Sequence, residues 1–363
     1  MSAIRLRGLS KSFGSLQAVQ NLDLDLREGE LVAFLGPSGC GKTTTLRMIA
    51  GFEVPDSGEI LLGGREVSNL PPERRDTGMV FQNYALFPHL TVYENVAFGL
   101  KMRKVPRSEI TRRVTEILDK VQLTGMEQRY PRQLSGGQQQ RTALARALVT
   151  NPTVLLLDEP LANLDAKLRE EMRFYIRHLQ QEFGITTVYV THDQAEALVL
   201  ADRVAVMRGG VLQQIDVPEE IYRRPSNAWV AGFVGIANLL PGVVEAHDAT
   251  TISVRTGVGM IRGQSGQRLP EGTDIVASVR PESLHLARDP VDDPHEVSVN
   301  RLQGTVAERA YLGNLADYRV RIDDTTVLRV QAAPFPAFEV GDEVSLTFAV
   351  EETWLVRPDS GGA

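Results

Sequence analysis

The octapeptide GPSGCGKT, Gly36 to Thr43, constrains this chain more than any other stretch. It follows the continuous apolar run LVAFL (Leu31 to Leu35) and precedes a segment with helical character starting near Gly41. A glycine-rich turn between a buried strand and a helix points successive backbone N–H groups inward, and the helix adds its positive N-terminal end, so the pair forms a cradle for polyphosphate. The pattern G-x-x-x-x-G-K-[ST] then assigns Lys42 as a point charge for the β and γ phosphates and the Thr43 hydroxyl as an oxygen ligand of Mg²⁺. The whole loop, Gly36, Pro37, Ser38, Gly39, Cys40, Gly41, Lys42, Thr43 and Thr44, is the expected ATP contact.

A phosphate loop needs a parallel sheet, and the first half of the chain supplies the pattern for one. VLLL (Val154 to Leu157) and TTVYV (Thr186 to Val190) are apolar runs without alternation, as strands buried on both faces require. Between the strands lie helical stripes, Ile110, Val114, Ile117, Leu118 and Val121 in one and REEMRFYIRHLQQEF up to Gly184 in another, which predicts a sheet covered by helices on both faces. In such sheets ligands bind at the carboxyl ends of the strands. VLLLDEP delivers Asp158 and Glu159 to that edge, Asp158 as an Mg²⁺-linked acid and Glu159 as the base that deprotonates an attacking water. His192 follows TTVYVT to the same edge, and Gln82, after TGMVFQ, offers an amide oxygen to Mg²⁺ or water. LSGGQ, Leu134 to Gln138, opens a helix and reads as a second anion site, with Ser135, Gly136 and Gly137 exposing backbone N–H groups.

Charge and cysteine content narrow the setting. The 363 residues carry 46 acids against 39 bases, a net charge of −7, so no basic field favours nucleic acid. Cys40 is the single cysteine; it suits a reducing compartment, and its place near a helix N-terminus leaves two readings open, a thiol of lowered pKa or a small tolerated residue. The N-terminus reads as a strand rather than a secretory signal, which argues for the cytoplasm. The most apolar window, Trp229 to Val244, is too short to span a bilayer, so any membrane association is expected to be peripheral. Beyond about residue 236 short β-branched runs punctuated by Gly, Pro and Asp predict a small all-β domain.

In this order the phosphate loop, LSGGQ, VLLLDEP and His192 resemble the ATP-binding cassette family of transport ATPases, from residue 4 to about 235. The resemblance implies an α/β nucleotide-binding domain over 1–236 with a helical subdomain at about 85–150, an OB-like β-domain over 237–357, and a flexible tail at 358–363. It implies that Phe13 stacks on adenine, that Gln82 is the loop glutamine, that Ser135 to Gln138 form the signature, and that Asp165 of LANLD belongs to the loop crossing a dimer interface. Asn163 departs from the Ser-Ala-Leu-Asp often found there. One cassette per chain implies a homodimer in which the Lys42 loop of one copy and the Ser135 turn of the other clamp one nucleotide. The segment with Tyr84, Leu86, Phe87, Pro88 and His89 corresponds to the region that meets coupling helices of a membrane permease, and both exposure and internal packing are open to Phe87. Residues 238 to 356 resemble the TOBE-like β-barrel of importer ATPases working with an external solute-binding protein at the inner membrane. The overall pattern is similar to the polyamine and ferric-iron importers; GIANLL makes sugar less expected, phosphonate or another solute stays open, and the alternatives are a soluble non-transport ATPase and a regulatory module whose β-domain senses a ligand or protein.

Overall fold

A computed structural model describes residues 2–248, 250–288 and 298–359. The chain divides into two compact units, Met1–Pro218 and Glu219–Ala363. The tail expected at 358–363 lies, from residue 360 onward, outside the described residues.

In the first unit the strands are β1 (Ser2–Phe13), β2 (Leu16–Arg27), β3 (Leu31–Leu35), β4 (Ser57–Leu62), β5 (Arg65–Glu66), β6 (Thr77–Val80), β7 (Val154–Asp158), β8 (Thr186–Thr191), β9 (Arg203–Arg208) and β10 (Val211–Asp216). Its longer helices are α1 (Lys42–Ala50), α2 (Val92–Met102), α3 (Arg107–Lys120), α4 (Gly136–Leu148), α5 (Ala166–Phe183) and α6 (Gln194–Leu200). Among the described residues β10-β9-β3-β8-β7-β6 form one sheet, parallel except for the β10–β9 hairpin, and β2-β1-β4-β5 form a second, antiparallel one. Every residue of β3, β7 and β8 is buried, as their unbroken apolar runs require.

The two faces of the parallel sheet are covered differently. Val32, Phe34, Val154, Leu156, Val188 and Val190 pack into one core with Leu46, Met48 and Ile49 of α1 and with Ile4, Leu6, Leu24 and Leu26 of the antiparallel sheet. Tyr189, on the opposite face, reaches Glu196 of α6. Helices on both faces are therefore only part of the cover: β1 and β2 share one face with α1. The reason is the alternation in NLDLDL, where Leu22, Leu24 and Leu26 turn inward while Asn21, Asp23 and Asp25 stay exposed.

Register decides where the loops emerge. Leu35 pairs with Thr191, Asp158 with Val190, and Val80 with Leu157, so β3, β8, β7 and β6 end at one level. The loops carrying Gly36, His192, Glu159 and Gln82 consequently open on the same edge. Beside the sheet, α2, α3 and α4 pack on one another as a helical subdomain. Thr91 begins α2 with a capping box, accepting from the Glu94 amide while Glu94 accepts from the Thr91 amide.

The second unit contains the short helix Ala228–Phe233 and, among the described residues, two antiparallel sheets. In spatial order one runs Gly259–Gly263, Ile252–Thr256, Asn238–His247, Asp274–Val279, Thr353–Val356; the other runs His285–Ala287, Glu343–Ala349, Val299–Tyr311, Ala316–Arg321, Val327–Ala332. Both contribute to a single core that includes Val254, Ile261, Ala277, Tyr318, Val330, Leu346 and Phe348.

Candidate nucleotide site

The loop Gly36–Gly41 joins β3 to α1 with Gly39 at φ 78° and Gly41 at φ 104°, conformations that side-chain-bearing residues adopt only at a cost. A Cβ on Gly41 would lie 2.3 Å from the Ala18 carbonyl, whereas at Gly39 nothing lies within 4 Å, so the open side of the turn is at Gly39. Lys42 is 5% exposed, and its ammonium donates to the carbonyls of Gly36 (2.6 Å) and Pro37 (3.0 Å). A buried ammonium needs such partners. Cys40 faces inward and is 3% exposed. Burial pushes its thiol above the usual range despite the nearby Lys42, which decides against the reading of a lowered pKa: desolvation outweighs the helix end and the ammonium.

Aligned strand ends bring the remaining groups to this loop. The Thr43 hydroxyl lies 3.1 Å from Asp158 Oδ1. Burial raises the Asp158 carboxyl pKa; the Thr43 hydroxyl, Arg47 and Lys42 act in the opposite sense. Glu159 stands at φ 45°, a left-handed backbone unusual for a residue with a side chain, held by its amide bond to the Val190 carbonyl (3.0 Å). Its carboxylate meets two of the predicted residues: Gln82 Nε2 donates to one oxygen at 3.2 Å, and His192 Nδ1 lies 3.1 Å from the other. Lys42, Thr43, Asp158, Glu159, Gln82 and His192 thus form one cluster drawn from four strand ends.

The other predicted residues have different partners. Ser135 caps α4 by accepting from the Gln138 amide (3.3 Å), while Gln138 Oε1 accepts from the Ser135 amide (3.0 Å). A Cβ on Gly136 or Gly137 would meet Leu164 or Leu168 at 3.1 and 3.3 Å, so these glycines let α4 approach the start of α5. Asp165 caps α5 through the Leu168 amide at 2.9 Å. Phe13 is 46% exposed, with the Lys11 ammonium 5.4 Å from its ring centroid. In the segment after Gln82, Tyr84 is buried; Phe87 is half-buried against Phe98, ring centroids 4.6 Å apart, and Pro88 and His89 are exposed.

Sequence reasoning named Asn163 only as a departure from a family pattern, without its contact, and passed over Arg146 and Glu196. Asn163 donates its amide to the Gln82 carbonyl at 2.8 Å. Arg146 of α4 donates to the carbonyls of Tyr84 (2.8 Å) and Ala85 (2.7 Å). Glu196 is 4% exposed and accepts from the Thr191 hydroxyl (2.7 Å) beside His192. An arginine inside the apolar stripe ALARAL was the one available signal, because a charge on a buried helix face requires partners.

A phosphate loop, an acid pair at a strand end and a histidine on a third strand, converging on one edge of an α/β sheet, define a phosphate-loop ATPase of the cassette type. The model of the family described as ABC transporter matches residues 19–162, and that of the TOBE domain matches residues 277–356. A spermidine/putrescine import ATP-binding protein, PotA, of Thermobifida fusca is 48% identical over 98% of this chain and 93% of its own length. The PotA of Thermotoga maritima is 43% identical over 98% of both. A dimeric post-hydrolysis state of the ATP-binding cassette MJ0796 bound to ADP and Pi superimposes with a TM-score of 0.53 at 33% identity, covering 59% of this chain and 98% of that one. The chain belongs to the ABC transporter family and is one of its ATPases.

Proposed function

We propose that this protein is the ATP-hydrolysing subunit of a binding-protein-dependent polyamine importer, working as a homodimer on the cytoplasmic face of the inner membrane. Cargo identity is supported by the relatives named for spermidine and putrescine import. Peripheral attachment is supported by the described residues, among which no helix is long and apolar enough to cross a membrane. The cassette occupies residues 1–236 and the β-domain 237–357; Pro88 and His89, exposed beside Phe87, offer a surface to permease coupling helices.

The observation that carries the reading is the contact of Glu159 with both Gln82 and His192 beside the Thr43–Asp158 pair. Lys42 exchanges its bonds to the Gly36 and Pro37 carbonyls for oxygens of the β and γ phosphates, while the amides of Gly39 to Thr44 cradle them. Phe13 stacks on the adenine. The oxygens of Thr43, Asp158 and Gln82 are hard donors that would hold Mg²⁺, and the ion would neutralise charge developing on the γ phosphate. Glu159 accepts a proton from the attacking water, and Gln82 and His192 fix its carboxylate. From the second copy, the amides of Ser135, Gly136 and Gly137 with Gln138, together with Asp165, close the site in the manner of a stabilising group supplied in trans.

Glu159→Gln preserves shape and removes the base, so hydrolysis falls by about 10² to 10⁴ while ATP binding persists. Steady-state phosphate release together with equilibrium ATP titration reads both. Turnover within threefold of the parent refutes the assignment.

A further inference from the structure

The Gln82 amide reaches Glu159 from a turn that is unfavourable on its own. Tyr84 and Ala85 follow with φ of 60° and 47°, two successive left-handed residues that bear side chains. Local bonds from the Tyr84 amide to the Phe81 carbonyl (2.9 Å) and from the Ala85 amide to the Asn83 carbonyl (2.7 Å) close the turn but leave its outer carbonyls to be satisfied by others. Such a conformation persists where its surroundings over-determine it. Here they do so from two directions. The guanidinium of Arg146, near the C-terminal end of α4, takes the Tyr84 and Ala85 carbonyls with separate nitrogens and lies 5.5 Å from the Phe87 ring centroid. On the other side the Asn163 amide takes the Gln82 carbonyl itself.

We infer that Arg146 and Asn163 are positioning residues that clamp the Phe81–Ala85 turn at two points and so hold the Gln82 amide on Glu159. The two grips originate on different elements. Arg146 stands on the helix that Ser135 caps, and Asn163 stands two residues before the Asp165 cap of α5. Loss of either grip therefore frees the same turn and loosens the Gln82 amide on the Glu159 carboxylate. Both side chains bond the turn, and each acts through Gln82. Planar two-pronged donation is a property of arginine that lysine does not reproduce, and donation by Asn163 is lost in an aspartate of the same shape, which only accepts.

The inference rests on the proposed role of Gln82 and Glu159, and the experiment separates the two. In the full-length protein, kcat and KM for ATP are measured with hydrogen exchange of peptides covering residues 82–88, for Asn163→Ala, Asn163→Asp, Arg146→Met, Arg146→Lys and Gln82→Ala. Asn163 is exposed, so its variants fold even if Arg146→Met does not. The expected result is a kcat at least fivefold lower for Asn163→Ala and Asn163→Asp, KM within twofold, faster exchange confined to the 82–88 peptides, and at most partial recovery in Arg146→Lys relative to Arg146→Met. Unchanged exchange at 82–88 in folded Asn163→Ala overturns the clamp. So does an unchanged kcat in that variant when Gln82→Ala is impaired. An unimpaired Gln82→Ala instead removes the catalytic role of Gln82, and the exchange data then decide the clamp alone.

Discussion

Replacing Gly36 by alanine adds one methyl group at the point where β3 meets the phosphate loop. The new Cβ would stand 2.3 Å from the Met207 carbonyl oxygen and 2.6 Å from Cys40 Sγ, about 1 Å inside the 3.4 Å at which ordinary contact begins. The nearer obstacle is backbone, and the other is the tip of a short, buried side chain. Met207 belongs to β9, whose Val206 pairs with Leu35 in the interior of the sheet, and Cys40 is buried within the loop. The methyl can be housed only by moving backbone, at about 1–3 kcal/mol for overpacking of this kind. For a unit of this size each kcal/mol lowers the melting temperature by about 2–4 °C, so a drop of about 2–12 °C is expected. The Gly36 carbonyl holds the Lys42 ammonium at 2.6 Å, and displacing it by about 1 Å lowers turnover by on the order of 10². Gly39→Ala is the control: its Cβ meets nothing within 4 Å, leaving only the cost of φ 78°, about 1–2 kcal/mol. Thermal unfolding by circular dichroism and phosphate release are measured on both. A Gly36→Ala protein that hydrolyses ATP at the parental rate and melts less than about 2 °C below the parent refutes the steric reasoning.

Two further outcomes concern titrating groups. Burial alone would raise the Asp317 carboxyl pKa, but the bonds from Arg329 (2.8 and 2.9 Å) and Gln331 (3.3 Å) outweigh it and hold the group below the usual range. Its stabilisation is present above the ordinary carboxylate range and is lost as pH falls through the folded value, so Asp317→Asn flattens the acid limb of a urea-midpoint profile; an unaltered limb contradicts the assignment. The buried Cys40 thiol, raised by desolvation, reacts with iodoacetamide at least tenfold more slowly in the native protein than in urea, and equal rates measured by mass spectrometry would place it at the surface.

Much of the site was legible in one dimension because its parts are local. Leu31–Leu35, Val154–Leu157 and Thr186–Val190 announce buried strands by lacking alternation, and GPSGCGKT carries its own turn geometry in its glycines. Since ligands collect at strand carboxyl ends, Asp158, Glu159 and His192 could be assigned to one edge before any fold was known. Cys40 shows the limit of the same reasoning: proximity to a helix start can be read in sequence, whereas the 3% exposure that reverses its titration cannot.

The amino-acid order alone determined the strand cores, the phosphate loop, the helix that LSGGQ opens and the change to β-structure near residue 236, because hydrophobic period and turn chemistry act over a few neighbouring residues. Tertiary structure alone decided that Leu35, Thr191, Asp158 and Val80 end level, that β1 and β2 cover a face expected to be helical, and that Asn163 and Arg146 meet the Gln82 turn. Those partners lie 81 and about 61 residues apart, and which of many polar groups pairs with which is set by strand register and helix docking, neither of which leaves a periodic trace in the chain.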